Sequence, residues 1–182
     1  MRYTRSIALG ALVASLLACG GDETSPAADS TVTSAQEGSM VLTSPVFEEE
    51  GVIPAEYTCD GEEVSPPLHI EGLPEETRTM VLIVDDPDAP GGTYDHWVAY
   101  DVEPTSDIPR DVGPLGTAGR NSSGASGYQG PCPPSGTHRY VHQVYALDTD
   151  LGLGEGATKS EVLEAMEGHI LAQATLTGLY TR

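Results

Sequence analysis

Apolar side chains in this chain fall in short runs, with a helical rhythm in only one place. Residues 79–84, Thr-Met-Val-Leu-Ile-Val, form a continuous, β-branched apolar run, which predicts a strand buried on both faces. Residues 97–102, Trp-Val-Ala-Tyr-Asp-Val, predict a second strand. A third, over 139–147, turns Tyr140, His142, Val144 and Ala146 one way and Val141, Gln143, Tyr145 and Leu147 the other. The last strand, over 172–180, interleaves Gln173, Thr175 and Thr177 with apolar residues. The helical rhythm lies at Val162, Leu163, Met166 and Ile170. It follows Thr158-Lys-Ser-Glu161, where the Thr and Glu side chains can satisfy opposing backbone amides, and Gly168 closes it. Between Asp101 and His138 the chain is rich in Gly, Pro and Ser, the kind of long connection that is usually functional or disordered. Several strands and one late helix predict an all-β sandwich with a small helical addition, one domain over residues 39–182.

The N-terminus follows different rules. Arg2 and Arg5 precede a short, mostly apolar run over 7–17, too short for a good spanning helix and suited to an export signal. Leu16-Leu17-Ala18-Cys19 resembles a bacterial lipobox, which implies that residues 1–19 end at a cysteine that becomes lipidated. Residues 20–38 carry no large apolar side chain before Val32 and cannot bury enough surface to fold, so they are expected to act as a flexible tether. Together these features predict an exported lipoprotein of a bacterial cell envelope. Gly20 after the cysteine is compatible with outer-membrane sorting.

Charge narrows the partners. The chain has 182 residues, 8 Lys+Arg against 28 Asp+Glu, and a formal net charge of -20. Such a surface repels phosphate backbones, so nucleic acid is excluded as a partner, and it fits an anionic membrane face poorly. Any anion site must be a local set of donors working against the field of the whole protein. The 21 Gly and 14 Pro also disfavour a helical bundle. Cys59 and Cys132 form an even pair in an exported chain; the sequence leaves open whether they are bonded or are free thiols.

Three polar clusters sit at predicted strand ends: Asp85-Asp86-Pro87-Asp88-Ala89-Pro90, Tyr94-Asp95-His96-Trp97, and the stretch from Gly130 to Tyr140. Each alone has an ordinary explanation, since Asp and Pro build turns and a His beside Trp is commonly a packed core residue. Taken together, Asp86, His96, His138 and Tyr140 can converge on one mouth of a sandwich. Imidazole and phenol groups can then donate to an anionic oxygen, with a carboxylate fixing an imidazole tautomer. Such a site needs neither Lys nor Arg, and the prolines would hold its loop in shape before binding. His69, His142 and His169 are assigned structural or surface roles.

The same clusters resemble the two signature stretches of the phosphatidylethanolamine-binding protein family, in its bacterial Raf-kinase-inhibitor-like branch. The residues concerned are Asp86-Pro-Asp-Ala-Pro90, His96-Trp97, Gly130-Pro-Cys-Pro-Pro134 and Ser135-Gly-Thr-His-Arg-Tyr140. Tyr57-Thr-Cys-Asp-Gly61, Ser65-Pro-Pro67, Gly119-Arg-Asn121 and the segment from Ala157 to His169 extend the resemblance over residues 39–182. It implies a sandwich of two antiparallel sheets with a helix near the C-terminus and a pocket for phosphate, acetate or a phosphoryl head group. By that resemblance Asp86, His96, His138 and Tyr140 line the pocket, Pro133 forms part of its wall, and Asp88 and Trp97 are neighbours. It implies no cofactor.

The leading expectation is an envelope-anchored module that binds a small anion or phosphorylated head group, with a possible protein partner. One alternative is a phosphoester hydrolase or metal-dependent enzyme built on Asp86, His96 and His138. The sequence has no Gly-x-Ser-x-Gly elbow and no His-Glu-x-x-His motif to support it, and Ser122, Ser123, Ser126 and Ser135 have no assigned base. A further alternative is an inhibitor of an envelope enzyme.

Overall fold

Nine strands and one α-helix, with a short 3-10 turn at Ala55–Tyr57, make up the computed structural model, which describes residues 39–182; the expected signal segment 1–19, Cys19 and the tether 20–38 lie outside the described residues. The elements are β1 (Val41–Thr43), β2 (Gly51–Val52), β3 (Leu68–Glu71), β4 (Thr79–Asp86), β5 (Tyr94–Val102), β6 (Asp107–Ile108), β7 (Thr117–Ala118), β8 (Thr137–Leu147), α1 (Lys159–Met166) and β9 (Ile170–Thr181). A small sheet has the order β1-β3-β6, and a large one β2-β9-β8-β4-β5-β7. The domain is thus mostly β, with two sheets and one α-helix among the described residues. Pairing between the strands is antiparallel, as expected, apart from the edge, where the two residues of β2 lie parallel to β9.

The large sheet is covered on both faces, which explains why every residue of β4 is buried. One face, through Met80, Leu82, Val84, Tyr140, Val144 and Leu176, packs on Leu42, Leu68, Ile70 and Ile108 of the small sheet. The other, through Val81, Ile83, Val98 and Tyr100, packs on Val162 and Met166 of α1. The helix starts where Thr158 accepts from the Glu161 amide and Glu161 accepts from the Thr158 amide, a reciprocal cap. It ends at Met166, so Ile170, expected on its apolar stripe, instead opens β9 and is exposed. Gly168, at φ 80°, makes the reversal between them.

His142 lies in the inter-sheet core as expected of a structural residue, 1% exposed, its ring 5.4 Å from that of Phe47. Burial pushes its imidazole down from 6.5 to about 4. Between those values the unfolded chain holds a proton at this residue that the folded chain does not. The contribution of His142 to stability is therefore complete above pH 6.5, and about 3 kcal/mol is lost as pH falls to about 4. Urea unfolding at neutral and acid pH should show this loss, and His142→Leu should flatten it. An unchanged pH slope in that variant would assign the loss to other groups.

Candidate functional site

Strand alternation and one irregularity bring the site together. Asp86 follows Met80, Leu82 and Val84 on the face of β4 that meets the small sheet, and His138 and Tyr140 precede Val144 on the same face of β8. On β5 strict alternation would send His96 away from Trp97. The pairing shifts there: Val84 faces Trp97 but Asp85 faces Asp95, so His96 is an extra residue, a β-bulge. The bulge turns His96 towards β8, its ring edge-on to Tyr140 with centroids 5.2 Å apart. It leaves Asp95 on the opposite face beside Asp85.

The polar members are buried but paired. His138 Nδ1 donates to Asp86 Oδ2 over 2.7 Å, and Asp86 Oδ1 accepts from the Asp88 amide over 2.8 Å. His96 Nδ1 donates to the Gln129 carbonyl over 2.8 Å, and the Tyr94 ring lies 4.9 Å from the imidazole. Burial pushes the His96 pKa down, against the Gln129 bond and the charges of Asp86, Asp95 and Glu63. Burial, with Asp86 beside it, pushes the Tyr140 phenol up; the Cys132 amide opposes this without forming a well-aligned hydrogen bond. The Tyr140 hydroxyl is sealed from solvent and has no partner among the described residues. A buried donor left unpaired costs roughly 1–3 kcal/mol.

The surrounding loops are braced. Asp88 accepts from the Arg139 amide, Nε and Nη2 at 3.0, 2.9 and 2.7 Å, and the guanidinium holds its carboxyl down to about 2. Asp88 therefore locks the β4–β5 turn to the start of β8 and is not an open ligand. Cys59 and Cys132 are joined by a disulfide, resolving the choice the sequence left open. Its closed loop, with a sequence separation of 73, gives about 4 kcal/mol in the chain-entropy estimate. At Gly130 a Cβ would come within 2.9 Å of the Tyr57 carbonyl, so only glycine allows the two segments this approach. Pro133 is buried just beyond the disulfide, in the segment leading to His138.

Trp97 is placed differently from the rest. Its ring packs edge-on against Tyr128 and lines a cleft of about 360 Å³ with Val112, Leu115, Glu63 and Asp111. Another cleft, of about 450 Å³, lies by Pro67, His69, Asp107 and Pro109. Neither includes Asp86, His96, His138 or Tyr140. The cluster is a small polar mouth, with its two histidines only 5% and 7% exposed, suited to a few atoms. His69 and His169 pair at the surface with Asp107 and Asp148, apart from it. Sequence reasoning missed Gln129, whose role at His96 is played by a backbone carbonyl and leaves no trace in residue type. It also missed Lys159, which donates to Asp85 and Asp95 at 2.8 and 2.9 Å on the other face of the sheet.

Comparison with known proteins agrees with this architecture. Residues 43–181 match the family described as phosphatidylethanolamine-binding protein. A UPF0098 protein of Methanothermobacter thermautotrophicus is 51% identical over 151 residues, 79% of this chain and 99% of that relative. A putative phosphatidylethanolamine-binding protein homologue from Chlamydia trachomatis superposes with a TM-score of 0.77 at 42% identity, covering 79% of this chain and 98% of that one. E. coli YbcL, described as a member of the mammalian PEBP family, superposes with a TM-score of 0.73 at 28% identity over the same shares.

Proposed function

Because this chain belongs to the phosphatidylethanolamine-binding protein family, we propose that it is a binding protein whose Asp86, His96, His138 and Tyr140 receive a small oxyanion or phosphorylated head group. The observation that carries this reading is the pair of imidazoles at the sheet end, His96 and His138, each fixed through Nδ1 by the Gln129 carbonyl and the Asp86 carboxylate, with no partner on Nε2 among the described residues. The orientation of both rings is thus set before a ligand arrives, with Tyr140 packed edge-on against His96. The cluster contains no Lys or Arg, and Arg139 is committed to Asp88. Attraction is therefore short-ranged, which fits a chain whose net charge of -20 would repel anions at a distance. In this proposal the lipid on Cys19 holds the domain at the bacterial envelope and the segment 20–38 gives it reach.

Titration calorimetry of the full chain with inorganic phosphate and with phosphoethanolamine tests the reading. Saturable heat is expected for the natural sequence and should vanish in His96→Ala. Equal affinity in that variant, or no saturation at millimolar ligand, overturns it.

A further inference from the structure

The cleft beside Trp97 carries chemistry opposite to that of the mouth. Val64, Trp97, Val112, Leu115 and Ala118 give its 360 Å³ an apolar floor, and Tyr128 stands against Trp97 as a wall. Two exposed carboxylates, Glu63 and Asp111, line it as well. Both residues sit at positive φ, 58° and 51°, a conformation few side chains adopt and one that the surroundings must hold. Backbone bonds hold it here. The Glu63 amide donates to the Glu56 carbonyl over 3.1 Å, and the Asp111 amide to the Ser65 carbonyl over 3.0 Å. The Val112 amide adds a bond to the Ser65 hydroxyl over 3.2 Å. The Tyr128 hydroxyl is spent on the Tyr57 carbonyl over 2.7 Å, so the aromatic wall is fixed too. Neither carboxylate takes a cation from the protein itself. Every Lys and Arg among the described residues is engaged elsewhere: Arg78, Arg139, Lys159 and Arg182 with other carboxylates, and Arg120 with the Gly156 carbonyl. Even Arg110, next to Asp111 in the chain, pairs with Glu56 and Glu62.

We propose that this cleft is an interaction surface that takes a basic side chain, arginine or lysine, from a partner protein. The apolar stem of such a side chain suits the floor, while its charged head meets Glu63 and Asp111. Aromatic rings on the same cleft add a favourable contact for a guanidinium. The net charge of -20 draws a basic partner from a distance, and the cleft supplies the local contact that fixes where it docks. Because the carboxylates and the wall are held in place beforehand, little order is lost on binding. The surface uses none of Asp86, His96, His138 and Tyr140 and stands whether or not the mouth binds an anion.

Trp97 is the one tryptophan of the chain, so its fluorescence reports on this cleft. The test titrates the full chain with acetyl-leucyl-arginine amide and with its citrulline counterpart, which keeps the side-chain shape and loses the charge, following fluorescence and heat together. The arginine peptide should saturate at about millimolar concentration and bind roughly tenfold tighter than the citrulline peptide, with salt eroding the difference. Glu63→Gln and Asp111→Asn should each weaken it about threefold. Thermal stability should be kept, because neither carboxylate is bonded within the described residues and asparagine tolerates the positive φ at 111. Glu76→Gln, which removes an exposed carboxylate outside the cleft, should change nothing. Equal binding of the citrulline peptide would make the cleft a neutral apolar site. Equal weakening by Glu76→Gln would assign the attraction to the overall charge. Either result overturns the proposal, as does no saturation in either readout at about 10 mM arginine peptide.

Discussion

His138→Ala should lower phosphate affinity by roughly 100-fold or more, beyond detection in a routine titration. The variant loses twice. It removes an imidazole at the mouth, and it leaves the Asp86 carboxylate, 3% exposed and bonded to His138 Nδ1 over 2.7 Å, without its partner. That carboxylate then faces an incoming anion unmasked. Charge-assisted hydrogen bonds contribute about 1.5–3 kcal/mol each, and two such losses reach the stated factor. The unpaired buried carboxylate also destabilises the fold, so thermal unfolding must accompany the titration. His138→Gln separates the effects. Its amide can still donate to Asp86, so stability should largely return while binding stays weak. Affinity within about threefold of the natural sequence in a folded His138→Ala protein would remove the residue from the site.

Lys159→Met should cost about 3 kcal/mol of stability at neutral pH, without any change at the mouth. Asp85 and Asp95 are direct cross-strand partners, and the Lys159 ammonium at 2.8 and 2.9 Å is what lets two carboxylates share that position. Burial pushes the Asp85 carboxyl up, and Lys159 pulls it back. Burial alone would lower the Lys159 pKa, but its bonds to both aspartates raise it. With the lysine replaced, an uncompensated charge remains beside β5. The expected cost is at the low end for a buried pair, because Lys159 and Asp95 keep 20% and 24% side-chain exposure. In the variant Asp85 should hold its proton to higher pH than in the unfolded chain. Its stability should therefore recover as pH is lowered towards the carboxylate range, opposite in sign to the His142 effect. Lys159→Met with Asp85→Asn should regain part of the loss. A cost below about 1 kcal/mol in urea unfolding would mean that water already screens the cluster.

The Asp85–Asp95–Lys159 cluster left no mark in the sequence, whereas other features did. The run over 79–84, the alternation over 139–147 and the Thr158–Glu161 cap were all legible, because each is local. The run implies two covered faces, the alternation assigns sides, and the cap is a reciprocal bond across one turn. The shortest strands, β2, β6 and β7, have two residues each and exist only through their neighbours, so no periodicity could announce them. β5 begins at Tyr94, earlier than its apolar run, because polar side chains at the sheet end face other polar groups and not the core.

By itself, then, the sequence determined the all-β class, the α-helix with its cap and the side each residue of β8 takes. All of these follow from side-chain chemistry and from periods of two or about 3.6 residues within one segment. The tertiary structure alone decided that Asp88 is bound up with Arg139, that Trp97 lines a separate cleft, and that the cysteines are joined. It also decided that an extra residue at His96 turns its imidazole towards Tyr140. These depend on the register between strands distant in the chain, where a one-residue shift exchanges the faces of a sheet, and no single segment encodes its own register.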